Sequence, residues 1–297
     1  MSPRSRDYAV CSLCGADEGR LLFHLKELPD GRREGIVRCE RCGLVYRNIR
    51  ESTAVIRQRY EQEYQPEDLS ASRRALFRHY IKLLDNFRRL NRLLDIGAGH
   101  GFFLRLCTER SWECYGVEIS KEAVTFAKEK FNLEIFEGSL KEAHYPDDFF
   151  DVVTLWNVLD HLPDPKATLV EVHRVLRPGG GLFLRFPNGA FQIACHKFFS
   201  FLGGIWERFG SFDPSVFHLY SFDRRSIERL LKETGFVKIA VSNSVLSLND
   251  PSEGKFSFRK RVFAQLVYGF SNLVALLSWG RWLIGPSLFV SAEKPGG

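Results

Sequence analysis

From residue 92 onward, short apolar runs alternate with stretches whose apolar positions recur every three to four residues. Runs of the first kind fit buried strands, and stretches of the second fit helices packed by one face. Strands are expected over residues 92–96, 114–118, 133–136, 150–156, 182–186, 236–241 and 287–292. Between them, Phe103 and Leu106 fall on one helical face, residues 123–130 form a second helix, and residues 226–234 form a third that Gly235 stops. Asp164 and Pro165 open another helix as N-cap and first helical residue, and Arg177-Pro178-Gly179-Gly180 closes it. Such alternation predicts an α/β domain over residues 93–297. Upstream, Phe77, Ile81, Leu84 and Phe87 keep helical spacing among Arg and Lys, so residues 49–92 read as a helical linker or lid. Residues 1–48 keep neither period and hold paired cysteines and several glycines instead.

Composition narrows this picture modestly. The chain has 297 residues, 44% hydrophobic and 26% charged, which excludes a disordered protein. Net charge is +6, which permits an anionic partner without requiring one. No secretory apolar segment follows the polar residues 1–10. The cysteines are therefore expected to bind metal rather than to form disulfides, and the expected location is the cytoplasm.

The strand ending at Ile96 runs directly into Gly97-Ala98-Gly99-His100-Gly101 and then a helix. Glycines suit such a loop because the backbone turns sharply and a ligand must approach without a Cβ in the way. The helix start behind it offers free N–H groups to a polar ligand. The spacing differs from the dinucleotide pattern, and Asp95 precedes it. Glu118 ends the next strand, where a carboxylate can accept hydrogen bonds from ribose hydroxyls.

At these residues a family resemblance emerges. Leu93–Gly101 resembles the first motif of class I S-adenosylmethionine-dependent methyltransferases. Asp151–Leu162 is similar to their fourth strand and following loop, and Arg174–Gly180 to the turn before their fifth. The resemblance implies a doubly wound, seven-stranded Rossmann-like sheet with its last strand antiparallel. It implies S-adenosylmethionine as cofactor, with Gly97, Gly99 and Gly101 against its methionine and ribose part. Asp95 would orient the amino-acid end and Glu118 hold the ribose, with Asn157 also on the cofactor side. Relatives often carry an Asp after the third strand to meet the adenine. This chain reads Glu137-Gly138-Ser139-Leu140, so Ser139 or a backbone group is expected to substitute.

Methyl transfer to a hydroxyl needs an acceptor in line and a route for its proton. His161 follows the fourth strand beside Asn157 and Asp160, and His218 follows the fifth, so both are expected at the acceptor end as catalytic candidates. His100 is read as non-catalytic and His173 as lying on a solvated face. Tyr60 and Tyr64 are read as packing residues, with closure over the cofactor as the alternative.

Cys11-x-x-Cys14 and Cys39-x-x-Cys42 each end in Cys-Gly. Two such knuckles can place four thiolates around structural Zn²⁺, a closed set with no catalytic position. Residues 1–48 therefore read as a zinc ribbon, which the metal would stabilise in place of a core. Cys107, Cys114 and Cys195 fall in apolar stretches and are expected to be buried.

A hydrophobic insert spans residues 255–285, between the last two strands, with Arg259, Lys260 and Arg261 near its start. Gln265, Asn272 and Arg281 argue against a membrane span, and contact of residues 257–284 with the inner membrane face stays open beside a lid or dimer surface. A second aromatic stretch, residues 191–217, includes Trp206, Phe209 and Phe212. The expected reaction is O-methylation of a small molecule, a sugar or glycan, or a lipid-linked acceptor. Arg32, Arg33, Arg38, Arg41 and Arg47 keep an RNA acceptor open as an alternative, although no Asn-Pro-Pro-Tyr-like stacking motif follows the fourth strand. A non-catalytic cofactor-binding module is the third reading.

Overall fold

The computed structural model describes residues 9–27, 33–49, 71–202, 217–245 and 258–296. Tyr60, Tyr64, Arg32, Trp206, Phe209, Phe212 and most of the 49–70 part of the linker lie outside the described residues.

At the N-terminal end, β1 (Gly19–Glu27), β2 (Arg33–Cys39) and β3 (Val45–Arg47) pair antiparallel in sequence order. Arg47, one of the arginines that kept RNA open, is paired with Glu34 at 2.6 Å. Next comes α1 (Ala71–Leu84), which buries Leu76, Phe77, Tyr80, Ile81 and Leu84 along one face, as its period predicts. Phe87 lies just past it, in a short 3-10 turn.

The larger domain alternates strand and helix: β4 (Arg92–Ile96), α2 (Phe102–Thr108), β5 (Glu113–Glu118), α3 (Lys121–Phe131), β6 (Ile135–Glu137), β7 (Phe150–Trp156), α4 (Pro165–Val175) and β8 (Leu176–Pro187). There follow α5 (Gly189–Leu202), β9 (Tyr220–Ser221), α6 (Arg224–Glu233), β10 (Val237–Asn243), α7 (Phe258–Leu277) and β11 (Ser287–Glu293). Seven of the strands form one sheet in the order β10-β11-β8-β7-β4-β5-β6. Those from β8 to β6 are parallel, and β11 runs antiparallel to both β8 and β10. The seven-stranded expectation and its antiparallel last strand are borne out. So is the helix between the last two strands. The central strand β7 is buried at every position except Trp156, as expected for a strand covered on both faces.

Local signals set the helix ends. The Asp164 side chain accepts from Ala167 N, with Pro165 at the first helical position. Asp223 and Ser226 cap α6 reciprocally. Three details differ from expectation. The strand after α4 starts at Leu176, so Arg177–Gly180 is a bulged start of β8 rather than a turn before it. Buried Asp151 holds this start by accepting from Arg177 Nε, and it also takes the backbone N–H groups of Arg89 and Arg92. His173 packs edge-on against Phe236 instead of facing solvent, because α4 lies over the end of α6. Cys107 is buried, whereas Cys114 and Cys195 are only partly so.

The small sheet does not stand alone. Its fourth strand is β9, which pairs with β3 through Val45↔Ser221 and Tyr46↔Tyr220. Cys11, Leu13 and Leu44 share one apolar cluster with Leu169, Tyr220 and Phe222 of the larger domain.

Candidate active site

The parallel strands end at a cleft of about 500 Å³. Gly97, Glu118, Ser139, Asn157 and His161 all line it, together with Arg73, Trp156 and Val158. That is the range of volumes that small-molecule sites occupy.

The glycine loop is held by its neighbour strand. Gly97 N and Ala98 N donate to Val117 O at 2.9 and 3.2 Å. Gly97 has φ +68°, and a Cβ there would lie 2.4 Å from Val158 Cγ2. Gly101 has φ +76° and opens α2 (its Cβ would meet Leu133 and Ala127), so it serves helix packing. Gly99 N donates to Glu118 Oε2 at 2.8 Å.

Glu118 also accepts from Ile119 N at 2.7 Å and Ser120 N at 3.0 Å, both on Oε1. Three backbone donors fix this carboxylate. A carboxylate has about four acceptor positions, so Oε2 keeps room for one more donor from the cleft. Asp95 is placed differently. It is buried beneath the loop, accepts from Thr154 Oγ1 at 2.6 Å, and burial pushes its carboxyl up to about 8. Ser139 donates from its backbone N and its hydroxyl to Glu142 at the cleft edge.

Asn157, at φ +57°, donates its backbone N–H to Arg185 O and accepts on Oδ1 from the Arg185 guanidinium, both at 2.7 Å. Arg185 continues to Ser244 at 2.9 Å, and the Ser244 hydroxyl lies 3.0 Å from Tyr80 Oη. This chain of polar groups runs from the cleft-lining Asn157 to Tyr80, on which the cleft-lining Trp156 stacks. Sequence reasoning missed Arg73, Trp156 and Arg185. Trp156 had a signal, as the last residue of a strand whose end faces the cleft. Arg73 and Arg185 had none, since only packing brings them there.

The two candidate histidines do meet. Their rings lie 3.9 Å apart, centroid to centroid. Behind them, Asp160 Oδ2 is 3.7 Å from His161 Nε2 and 3.9 Å from His218 Nε2. Burial pushes the Asp160 carboxyl up to about 6 against the pull of His218. Burial and the neighbouring His161 push His218 down to about 4. His100 is buried beside Phe126 and away from this trio.

The small sheet holds His218 in place. Arg47 N donates to Leu219 O at 3.0 Å, and Tyr220 Oη donates to Pro163 O at 3.0 Å. The segment just before β9 is thus pinned between β3 and the turn that carries His161.

In the knuckles, Gly15 N and Gly43 N donate back to Cys11 O and Cys39 O at 2.8 and 2.9 Å. Cys11 and Cys42 Sγ lie 3.4 Å apart and Cys14 and Cys39 Sγ 3.5 Å, with all four sulfurs within 4.8 Å of one another. A tetrahedral ion with Zn–S bonds of about 2.3 Å separates its sulfurs by ~3.8 Å. The four thiols fit such an ion. Burial pushes the Cys11 thiol up to about 11, while at Cys39 burial is outweighed by backbone donors and the Cys14 and Cys42 thiols together, which bring it down to about 7.

A family model for a methyltransferase domain matches residues 67–241, more than half of the chain. An uncharacterised methyltransferase of Schizosaccharomyces pombe is 38% identical over 114 residues, covering 33% of this chain and 40% of its own. A ubiquinone biosynthesis O-methyltransferase of an Azoarcus species is 30% identical over 112 residues, covering 34% and 46%. The chain thus spans less than half the length of these two relatives. Among solved structures, a phosphoethanolamine N-methyltransferase of Haemonchus contortus matches over 92% of this chain and 71% of its own, with 18% identity and a TM-score of 0.51, a likeness of fold.

Proposed function

The chain belongs to the methyltransferase domain family, and from that premise we propose that it transfers a methyl group from S-adenosylmethionine to an oxygen of a small-molecule acceptor. The observation that carries this is Glu118, whose carboxylate is fixed by three backbone donors beside the glycine loop with one acceptor position left on Oε2. Bound in the cleft, S-adenosylmethionine supplies a methyl carbon on a positively charged sulfur, open to attack by a nucleophilic oxygen. Glu118 takes a ribose hydroxyl on Oε2. Gly97 lets the methionine part approach the backbone. Ser139 and the backbone around Gly138 border the adenine end. Asp95, buried and bonded to Thr154, anchors the end of the strand that leads into the loop. Asn157, held by Arg185, shapes the floor where cofactor and acceptor meet.

An oxygen acceptor is favoured by the cluster opposite. Asp160, His161 and His218 converge where a hydroxyl must lose its proton, and His161 lines the cleft wall. The Azoarcus relative is named for O-methylation. The four cysteines hold a structural Zn²⁺, with all ligand positions taken by thiolate, and the described part of residues 1–48 forms the ribbon built on it.

The decisive experiment is calorimetric titration of the zinc-loaded chain with S-adenosylmethionine and S-adenosylhomocysteine. Micromolar binding is expected, weakened at least ~10-fold in Glu118→Ala, about what loss of a charge-assisted hydrogen bond implies. Equal affinity in the variant, or none in the folded wild type, would remove the cofactor assignment.

One surface favours an acceptor presented at a lipid surface. Leu266, Phe270, Leu273, Leu276 and Leu277 of α7 are exposed, as are Trp279 (94%) and Trp282 just beyond it, flanking Arg281. No helix among the described residues is long and apolar enough to cross a membrane. Tryptophans beside an arginine at the end of an apolar helix suit the headgroup boundary. The wild type should sediment with anionic vesicles, and Trp279→Ser with Trp282→Ser should lose most of that binding. Failure of the wild type to sediment removes this part of the reading.

A further inference from the structure

The acceptor-end trio carries a feature that proton transfer leaves unexplained. The Asp160 side chain is 3% exposed, and neither of its oxygens has a hydrogen-bond partner on another of the described residues. A carboxylate taken out of water is strongly disfavoured unless it is paired or coordinates a metal. Here the pairing is incomplete. At 3.7 and 3.9 Å, both imidazoles stand beyond hydrogen-bond reach of Asp160. Two imidazolium rings 3.9 Å apart would also repel.

The donor atoms fit an ion better than they fit each other. One nitrogen from each histidine and one carboxylate oxygen lie within 4.8 Å of one another. Neighbouring donors around an ion at about 2.1 Å are separated by ~3.0 Å in octahedral and ~3.4 Å in tetrahedral geometry. The Asp160–histidine separations of 3.7 and 3.9 Å shorten by ~0.3–0.9 Å, and that between the histidine nitrogens by at most ~1.8 Å, to close the set. Two histidines and one carboxylate leave coordination positions open, unlike the closed four-cysteine set.

We propose that Asp160, His161 and His218 hold a divalent transition-metal ion at the acceptor end of the cleft, its open positions facing an acceptor oxygen or water. The assignment of a purpose to this ion rests on the methyltransferase reading; its binding does not. A hydroxyl bound to the ion gives up its proton to solvent more readily, and the electron pair of the broken O–H bond stays on the oxygen. The trio then acts through the metal rather than as free bases. The ribbon contributes too, since β3 fixes the segment that carries His218.

The test adds Co²⁺ to zinc-saturated full-length chain, so that the cysteines are already filled, and follows visible absorption. One equivalent should bind per chain, with the weak bands of nitrogen and oxygen ligation and no thiolate charge-transfer band. Asp160→Asn and His218→Ala should each weaken binding at least ~10-fold, about what loss of a ligand or its immediate support brings, with near-UV circular dichroism unchanged. His218→Gln guards against a folding failure of the alanine variant. No Co²⁺ uptake, thiolate bands only, or binding unchanged in both Asp160→Asn and His218→Ala would overturn the site. S-adenosylhomocysteine titrated into the same samples separates the two readings. Its binding without Co²⁺ uptake sinks the metal alone, and Co²⁺ uptake without it sinks the cofactor assignment alone.

Discussion

At the proposed cofactor end of the cleft, the groups assigned to the ligand come from one short loop around Gly97 and from Glu118 on the strand beside it. At the proposed acceptor end they come from a turn after β7 and from a segment before β9, which are brought together only by packing of the two sheets. The first end works mainly through backbone N–H groups and the absence of Cβ atoms. The second works through side chains in a buried setting. A backbone-built site leaves its mark in a short motif, whereas a side-chain site assembled from distant segments leaves residues but not their meeting.

The contrast can be broken most forcefully at Gly97. Gly97→Ala forces a Cβ to within 2.4 Å of Val158 at φ +68°. It should cost about 2–4 kcal/mol of stability through crowding and left-handed strain, and weaken cofactor binding as well. Adding Val158→Ala should return the crowding part and leave the strain. Thermal unfolding and titration of the single and double variants check this, and an alanine variant that behaves as wild type would mean that the cofactor end does not depend on its backbone.

A gentler probe sharpens the same contrast at Asp95. Its carboxyl sits near 8 when folded against an ordinary 3.8. Between those values the folded protein keeps a proton that the unfolded chain has lost, so this group makes stability fall as pH rises from about 4 to about 8. Asp95→Asn should flatten that part of the melting-temperature profile and leave cofactor affinity near wild type. A profile with the wild-type slope would show that Asp95 is ionised in the folded chain.

Much of this arrangement was readable from residue order. Strand β4, the loop and Glu118 were legible because each is a local signal: an apolar run, glycines at fixed offsets, a carboxylate at a strand end. The cysteine pairs were legible for the same reason. Asn157 was assigned to the cofactor side, and it lines the cleft with its side chain engaging Arg185, whose position no local pattern encodes. Asp160 was noticed only as a neighbour of His161. That it is buried and lies behind both histidines depends on the packing of β9, a strand of two residues too short to produce any periodicity. His173 was misread because its helix has an amphipathic period, yet the loop after α6 covers the side it occupies.

The pairing of Tyr46 with Tyr220 has a further consequence, for the order in which the chain is made. The cysteines leave the ribosome early, and a metal can gather them before any of the parallel sheet exists. Their sheet, however, has an open edge at β3 until residue 220 has been synthesised. An unpaired edge is a template for the wrong neighbour, and contacts so distant in sequence form slowly. From the synthesis of residue 47 until that of residue 220 the nascent protein therefore carries an unfinished module, and its completion coincides with the arrival of His218 beside His161.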